Sequence, residues 1–125
     1  MATGVGAPVG VLVVDDSAAF RLAAAAVLAR TPGFRLAGHA VSAEEALDAV
    51  AVLLPDLVLL DVRLPGMSGV DAAPLLRAAG SHPVVVLCST YARTDLPPGT
   101  TTSPACTVTP STVRSRRHAW TKFLR

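Results

Sequence analysis

The sequence predicts an α/β domain built on a doubly wound parallel sheet with strand order 2-1-3-4. Two observations point to this fold class. Short apolar runs alternate with segments of helical composition along the first 90 or so residues, and the connections between them span only a few residues. Right-handed crossovers between successive parallel strands would then place the first and third strands side by side, with helices on both faces.

The predicted strands are short and mostly aliphatic. Residues 9–14 (VGVLVV) and 57–60 (LVLL) lack the polar alternation of a surface strand, which is typical of strands buried on both faces. Residues 83–88 have the same character. Residues 34–40 are interrupted by polar side chains and a glycine, so we expect this strand at an edge of the sheet.

Three helices are predicted between these strands. Ser17 offers an N-cap hydroxyl before the Ala- and Leu-rich residues 18–30. Ser42 opens a capping-box pattern, Ser-Ala-Glu-Glu, and the helix that follows should run to about residue 53. The third helix is expected over residues 70–79.

Charge divides the chain into two parts. All nine acidic residues lie before residue 98, whereas residues 98–125 contain four arginines, Lys122 and no acid. We therefore predict a domain over residues 8–97, followed by a basic, poorly ordered tail over 98–125 that is rich in Thr, Ser, Pro and Arg. No helix-turn-helix pattern follows the domain, so we expect no DNA binding from this chain.

Membrane and export signals are lacking in the sequence. No apolar run approaches the roughly 18 residues that a membrane span requires, and no basic residue precedes the first apolar stretch. Cys88 and Cys106 form no C-x-x-C pair. We expect a cytoplasmic protein with reduced thiols and no membrane partner.

Acidic residues follow two neighbouring strands of the predicted sheet. Asp15 and Asp16 come after the first strand and Asp61 after the third. Ligands of such sheets bind at the carboxyl ends of the strands, and three carboxylates gathered there would repel one another without a cation. Mg²⁺ accepts carboxylate, water and phosphate oxygens. We predict a Mg²⁺ site with Asp16 and Asp61 as direct ligands, Asp15 holding a bound water, and the Arg63 main-chain carbonyl completing the set.

The same edge of the sheet suits phosphoryl chemistry. A carboxylate beside a divalent ion is a competent nucleophile toward phosphorus. Ser89 or Thr90, after the fourth strand, would supply a hydroxyl to a phosphoryl oxygen. Asp56 precedes its strand, so we expect it at the opposite end of the sheet and in contact with solvent.

Three motifs together resemble the receiver domain of bacterial two-component response regulators, over about residues 9–96. They are V-L-V-V-D-D-S-x-x-F-R, P-D-L-V-L-L-D-V-R-L-P-G-M-S-G and P-V-V-V-L-C-S-T. The resemblance implies a flavodoxin-like fold of five strands and five helices, and phosphorylation of Asp61 by a histidine kinase or a small phosphodonor. It also implies a switch hydroxyl, assigned to Ser89 or to Thr90, and signalling to a protein output partner rather than enzymatic turnover.

The C-terminal part departs from that family. Receiver domains carry a lysine at the end of the fifth strand that pairs with the phosphoryl group, whereas the only lysine here is Lys122, outside any such motif. We expect the fifth strand and helix to be missing or degenerate, with residues 105–108 as a poor substitute strand. A frameshift in a GC-rich gene near codon 97 is one hypothesis for the compositional break.

Two alternative functions stay open from the sequence. The first is a truncated or degenerate receiver that acts as an interaction module without being phosphorylated. The second is a phosphohydrolase with an aspartyl nucleophile on a related sheet. Such enzymes resemble D-x-D at the end of the first strand, where this chain has Asp15-Asp16 followed by Ser17.

Overall fold

The computed structural model describes residues 7–88 of the 125-residue chain. These residues form four strands and three helices in strict alternation. The elements are β1 (Val9–Val14), α1 (Ala18–Ala29), β2 (Phe34–Ala40), α2 (Ala43–Leu53), β3 (Leu57–Asp61), α3 (Gly69–Ala78) and β4 (Val84–Cys88). All strand pairs are parallel and the sheet order is β2-β1-β3-β4. The predicted fold class and strand order are confirmed for this part of the chain.

Serine hydroxyls define where the helices begin. Ser17, Ser42 and Ser68 each adopt an extended backbone conformation and accept a hydrogen bond from the main-chain N–H three residues ahead, at 3.2–3.3 Å. The first two caps were predicted. The Ser68 cap starts α3 at Gly69, one residue earlier than expected.

The sheet is covered on both faces, as its apolar strands predict. All six residues of β1 are buried, and successive side chains alternate between two separate cores. Leu12 and Val14 pack with residues of α2 and α3 on one face, whereas Val11 and Val13 pack with Leu28 of α1 on the other. The helices therefore cover β1 on both faces, between β2 and β3.

The strand β2 lies at one edge of the described sheet, as predicted. Its pairing with β1 shifts register between Val11 and Leu12, where one additional residue of β2 is accommodated. Gly38 follows this irregularity, and a Cβ there would meet a Leu53 methyl at 2.6 Å. A glycine thus allows α2 to pack closely against the edge strand.

Two sequence-based predictions concern parts of the chain that lie outside residues 7–88. They are the missing or degenerate fifth strand and helix, including residues 105–108, and the poorly ordered tail over residues 98–125. Within the described residues, none of the helices has the length and apolar character needed to cross a membrane.

Candidate functional site

The pairing of β1 with β3 brings the acidic residues together. Val14 lies opposite Leu60 in the parallel register, so the residues that follow them, Asp15 and Asp61, emerge side by side at the carboxyl end of the sheet. Carboxylate oxygens of Asp15, Asp16 and Asp61 lie within 4.8 Å of one another. We call these three residues the acidic cluster.

Asp15 is the buried member of the acidic cluster. The residue is 7% exposed, and its Oδ1 accepts a hydrogen bond from the Ser17 main-chain N–H at 2.8 Å. Its own N–H donates to the Ala40 carbonyl at 3.0 Å, which extends the β1–β2 pairing by one residue. Asp16, in contrast, is exposed. The turn after β1 therefore anchors one carboxylate and leaves the next one facing solvent.

Asp61 is the partly buried member, contributed by the last position of β3. Its Oδ1 accepts a hydrogen bond from the Arg63 main-chain N–H at 3.1 Å. Burial raises the pKa of Asp61 above its ordinary value, the Arg63 N–H partly opposes this, and the carboxylates of Asp15 and Asp16 raise the pKa further. A cation at the cluster would relieve the repulsion that these groups share.

The donor set of the acidic cluster fits a hard divalent ion. Three carboxylates from two chain segments offer only oxygen ligands, and their spacing allows one ion to contact more than one of them. Arg63 meets the cluster through its N–H, so the assignment of its carbonyl as a ligand stays a prediction. The donor chemistry is that expected for Mg²⁺.

The predicted switch hydroxyls, Ser89 and Thr90, lie outside the described residues. The preceding residue, Cys88, ends β4 directly opposite Asp61 in the β3–β4 register. The Val62 N–H donates to the Cys88 carbonyl at 3.0 Å, so the pairing continues past the end of β3. The chain therefore leaves the described structure beside Asp61.

Gly69 holds the loop after β3 against the end of that strand. Its N–H donates to the Val62 carbonyl at 2.9 Å, and a Cβ at this position would lie 2.1 Å from the Asp61 carbonyl oxygen. No other residue type fits such an approach without movement of the backbone. Gly69 belongs to one of the three sequence motifs, but this close approach was not predicted from the sequence.

Arg21 is a second residue that belongs to one of the three motifs and had been given no role from the sequence. Its Nη1 donates a hydrogen bond to the Asp15 carbonyl oxygen at 2.7 Å. The available signal was its spacing: Arg21 lies four residues after Ser17, so its side chain extends along the helix toward the turn that carries the acids. Asp15 is thus held through its N–H, its carbonyl and its carboxylate.

Comparison with known proteins agrees with this geometry. The family described as response regulator receiver domain matches residues 11–98 of the chain. A protein-glutamate methylesterase/protein-glutamine glutaminase from Nocardioides sp. is 39% identical over 80 residues, which are 64% of this chain and 22% of that protein. The chain therefore spans less than a quarter of the length of the curated relatives that it matches.

Solved structures are similar over most of the chain. The signal receiver domain of the response regulator NarL from Mycobacterium tuberculosis has a TM-score of 0.68 and 26% identity, with 95% of this chain and 84% of that chain covered. The chain is also similar to the crystal structure of the P1 domain of CheA3 in complex with CheY6 from R. sphaeroides. That match has a TM-score of 0.63 and 26% identity, with 94% and 81% covered.

The family match extends over more than two thirds of the chain and includes Asp15, Asp16 and Asp61. The described residues form a parallel sheet in the order β2-β1-β3-β4, and the similar solved structures are receiver domains. The chain belongs to the response regulator receiver domain family.

Proposed function

We propose that this chain accepts a phosphoryl group on Asp61 in the presence of Mg²⁺, as a receiver in two-component phosphorelay signal transduction. The observation that carries the proposal is the acidic cluster, in which three carboxylates from two chain segments meet at the carboxyl end of a receiver-family sheet. Sites in open parallel sheets form at this end, where the helices leave on opposite faces.

Asp16 and Asp61 would hold the Mg²⁺ directly, Asp15 would hold one of its waters, and the Arg63 carbonyl would complete the protein ligands. When bound, Mg²⁺ supplies positive charge that screens the phosphoryl oxygens from the carboxylates. Ser89 or Thr90, which follow the strand beside Asp61, are the proposed source of the switch hydroxyl.

The Asp61 carboxylate would act as the nucleophile. Its Oδ1 accepts the Arg63 N–H, which fixes the orientation of the carboxylate plane. One carboxylate oxygen forms a bond to phosphorus, and the bond from phosphorus to the donor breaks. The electron pair of that bond leaves with the donor, either the imidazole of a phosphohistidine or the carboxylate of acetyl phosphate. The product is an aspartyl phosphate on Asp61.

The proposed partners are a histidine kinase or a small phosphodonor on the input side, and a protein on the output side. The complex of CheY6 with the P1 domain of CheA3 supports an input of this kind. Esterase activity is not part of the proposal, because the match to the methylesterase relative covers 22% of that protein. We infer a cytoplasmic signalling role without catalytic turnover.

Mass spectrometry of the intact chain tests the proposal. Wild-type protein incubated with acetyl phosphate and Mg²⁺ should gain the mass of one phosphoryl group, and the gain should disappear when Mg²⁺ is chelated. Asp61→Ala should show no gain, because it lacks the nucleophile. Asp48→Asn is the matched control: it removes an exposed carboxylate of α2, away from the acidic cluster, and should be phosphorylated like wild type.

One feature of the sequence favours the second candidate, a degenerate receiver that works without phosphorylation. The only lysine, Lys122, does not occupy the family motif, and such a cation stabilises charge on a transferring phosphoryl group. No mass gain in wild type with either acetyl phosphate or a phosphorylated kinase domain would establish this candidate. Steady turnover of an aryl phosphate would instead indicate a phosphohydrolase.

A further inference from the structure

We infer that Arg21 is a positioning residue for the acidic cluster, and that it fixes the 15–16 peptide so that Asp16 and Asp15 face a divalent ion together. The inference rests on the proposed function, since it concerns the same metal site. It adds a residue of α1 to a site otherwise formed by the ends of β1 and β3.

The contact itself is short and directional. Nη1 of Arg21 lies 2.7 Å from the Asp15 carbonyl oxygen, in the range of charge-assisted hydrogen bonds. The main-chain N–H of Arg21 donates to the Ser17 carbonyl at 3.1 Å, so the residue sits in the first turn of α1. Helical side chains point toward the helix N-terminus, which directs this guanidinium back over the turn that carries the acids.

The direction of the Asp15 carbonyl group is coupled to the backbone orientation of Asp16. That carbonyl belongs to the peptide plane joining Asp15 to Asp16, and a peptide plane rotates as a unit. The Asp15 N–H is fixed separately, by the Ala40 carbonyl at 3.0 Å. Asp16 is exposed, so packing restrains it little, and this plane restrains the backbone position from which its side chain leaves the chain. Arg21 therefore restrains the orientation of Asp16 without contacting its carboxylate.

The choice of acceptor leaves the carboxylates available to a cation. The guanidinium donates to a main-chain oxygen, whereas the Asp15 carboxylate accepts from the Ser17 N–H. An arginine that paired with Asp16 or Asp61 would compete with Mg²⁺ for the same oxygens. In this arrangement the Arg21 guanidinium lies close to the acidic cluster, but it donates to a main-chain oxygen and not to a proposed ligand oxygen.

Calorimetric titration with Mg²⁺ alone, without a phosphodonor, tests the inference on the full chain. Arg21→Ala should bind Mg²⁺ about 10-fold more weakly than wild type, in the range found for residues that orient metal ligands. Arg21→Lys keeps the charge and a donor and should recover part of the loss. Arg30→Ala, which removes the exposed arginine at the other end of α1, should bind like wild type.

Amide hydrogen exchange in the metal-free protein gives a second readout that does not depend on Mg²⁺ binding. The Ser17 amide, which donates to Asp15, should exchange faster in Arg21→Ala, whereas the Leu60 amide within β3 should keep its wild-type protection. Uniformly faster exchange would indicate general destabilisation and would overturn a local positioning role. Should Arg21→Ala fail to fold, the comparison of Arg21→Lys with wild type decides.

The outcomes separate this inference from the proposed function. If wild type binds no Mg²⁺, the proposed metal site fails, while the exchange of Ser17 still decides whether Arg21 holds the turn. If wild type binds Mg²⁺ and Arg21→Ala binds it equally well, with Ser17 equally protected, the positioning role of Arg21 is wrong and the metal site stands.

Discussion

Aspartates lie at both ends of the sheet, but their surroundings differ. At the amino end, Oδ2 of Asp56 accepts the Gly10 N–H at 3.0 Å. The main chain of Asp56 also donates to the Gly10 carbonyl at 2.9 Å and accepts from the Val84 N–H at 3.0 Å, so this residue links β1 to β4. At the carboxyl end, the acidic cluster places three carboxylates within 4.8 Å of one another.

One residue type supports the fold at one end of the sheet and is proposed to bind a metal ion at the other. The Asp56 carboxylate has a main-chain partner 46 residues away in sequence, which the fold itself provides. Asp61 also accepts a main-chain N–H, yet its pKa is raised by burial and by two neighbouring acids. Both aspartates accept a main-chain hydrogen bond, and the close approach of two other carboxylates, in addition to burial, distinguishes Asp61 from the structural aspartate.

The largest expected effect is the loss of Mg²⁺ binding in Asp16→Asn. The substitution removes a full negative charge and a proposed direct ligand while keeping the size of the side chain. We expect the dissociation constant for Mg²⁺ to rise at least about 100-fold, measured by calorimetry. Asp56→Asn at the amino end should bind Mg²⁺ as wild type does. Equal affinity of Asp16→Asn and wild type would place the ion elsewhere.

An effect of intermediate size is expected on the free energy of unfolding when Asp56, at the amino end of the sheet, is replaced. Asp56→Ala removes the acceptor of the Gly10 N–H and should lower the free energy of unfolding by about 1–2 kcal/mol. Urea denaturation of the metal-free protein measures this. Asp48→Ala, an exposed position on α2, is the control and should change stability little. An unchanged stability in Asp56→Ala would mean that water replaces the lost carboxylate at no cost.

Local sequence patterns were sufficient for most of the fold and for the membership of the acidic cluster. Ser17 and Ser42 cap their helices as their spacing indicated, because capping depends on residues within one turn. Asp15, Asp16 and Asp61 could be placed together because their strands end in acids and parallel strands align those ends. Periodicity and topology rules determine such features.

The sequence failed where a contact depends on the register between distant segments. Asp56 lies at the opposite end of the sheet as expected and is partly buried, but its hydrogen bond with the Gly10 N–H was not anticipated. That pairing depends on how far β3 is shifted along β1, which no local pattern specifies. The contacts of Arg21 with Asp15 and of Gly69 with Asp61 were missed for a different reason. They are local in sequence, but they depend on the path of the turns, which composition does not specify.

The smallest expected effect is a pH dependence of stability that belongs to Asp61. The folded state raises the pKa of this carboxyl above the reference value of 3.8, chiefly through burial. Between the unfolded and the raised folded pKa, the folded protein binds more protons, so its stability falls as pH rises through that interval and then levels off. Asp61→Asn should not show this fall in stability with rising pH.

Metal-free wild type and Asp61→Asn, unfolded in urea across this pH range, should therefore diverge as pH rises, with the variant becoming the more stable. We expect a difference below about 1 kcal/mol, because Asp61 is only partly buried and water screens its charge. Saturating Mg²⁺ should reduce or reverse the difference, since the ion stabilises the wild-type carboxylate. An Asp56→Asn variant should not gain stability in this way, because its carboxylate accepts a hydrogen bond that supports the fold. If both variants gained stability equally, the raised pKa of Asp61 would no longer distinguish the two ends of the sheet.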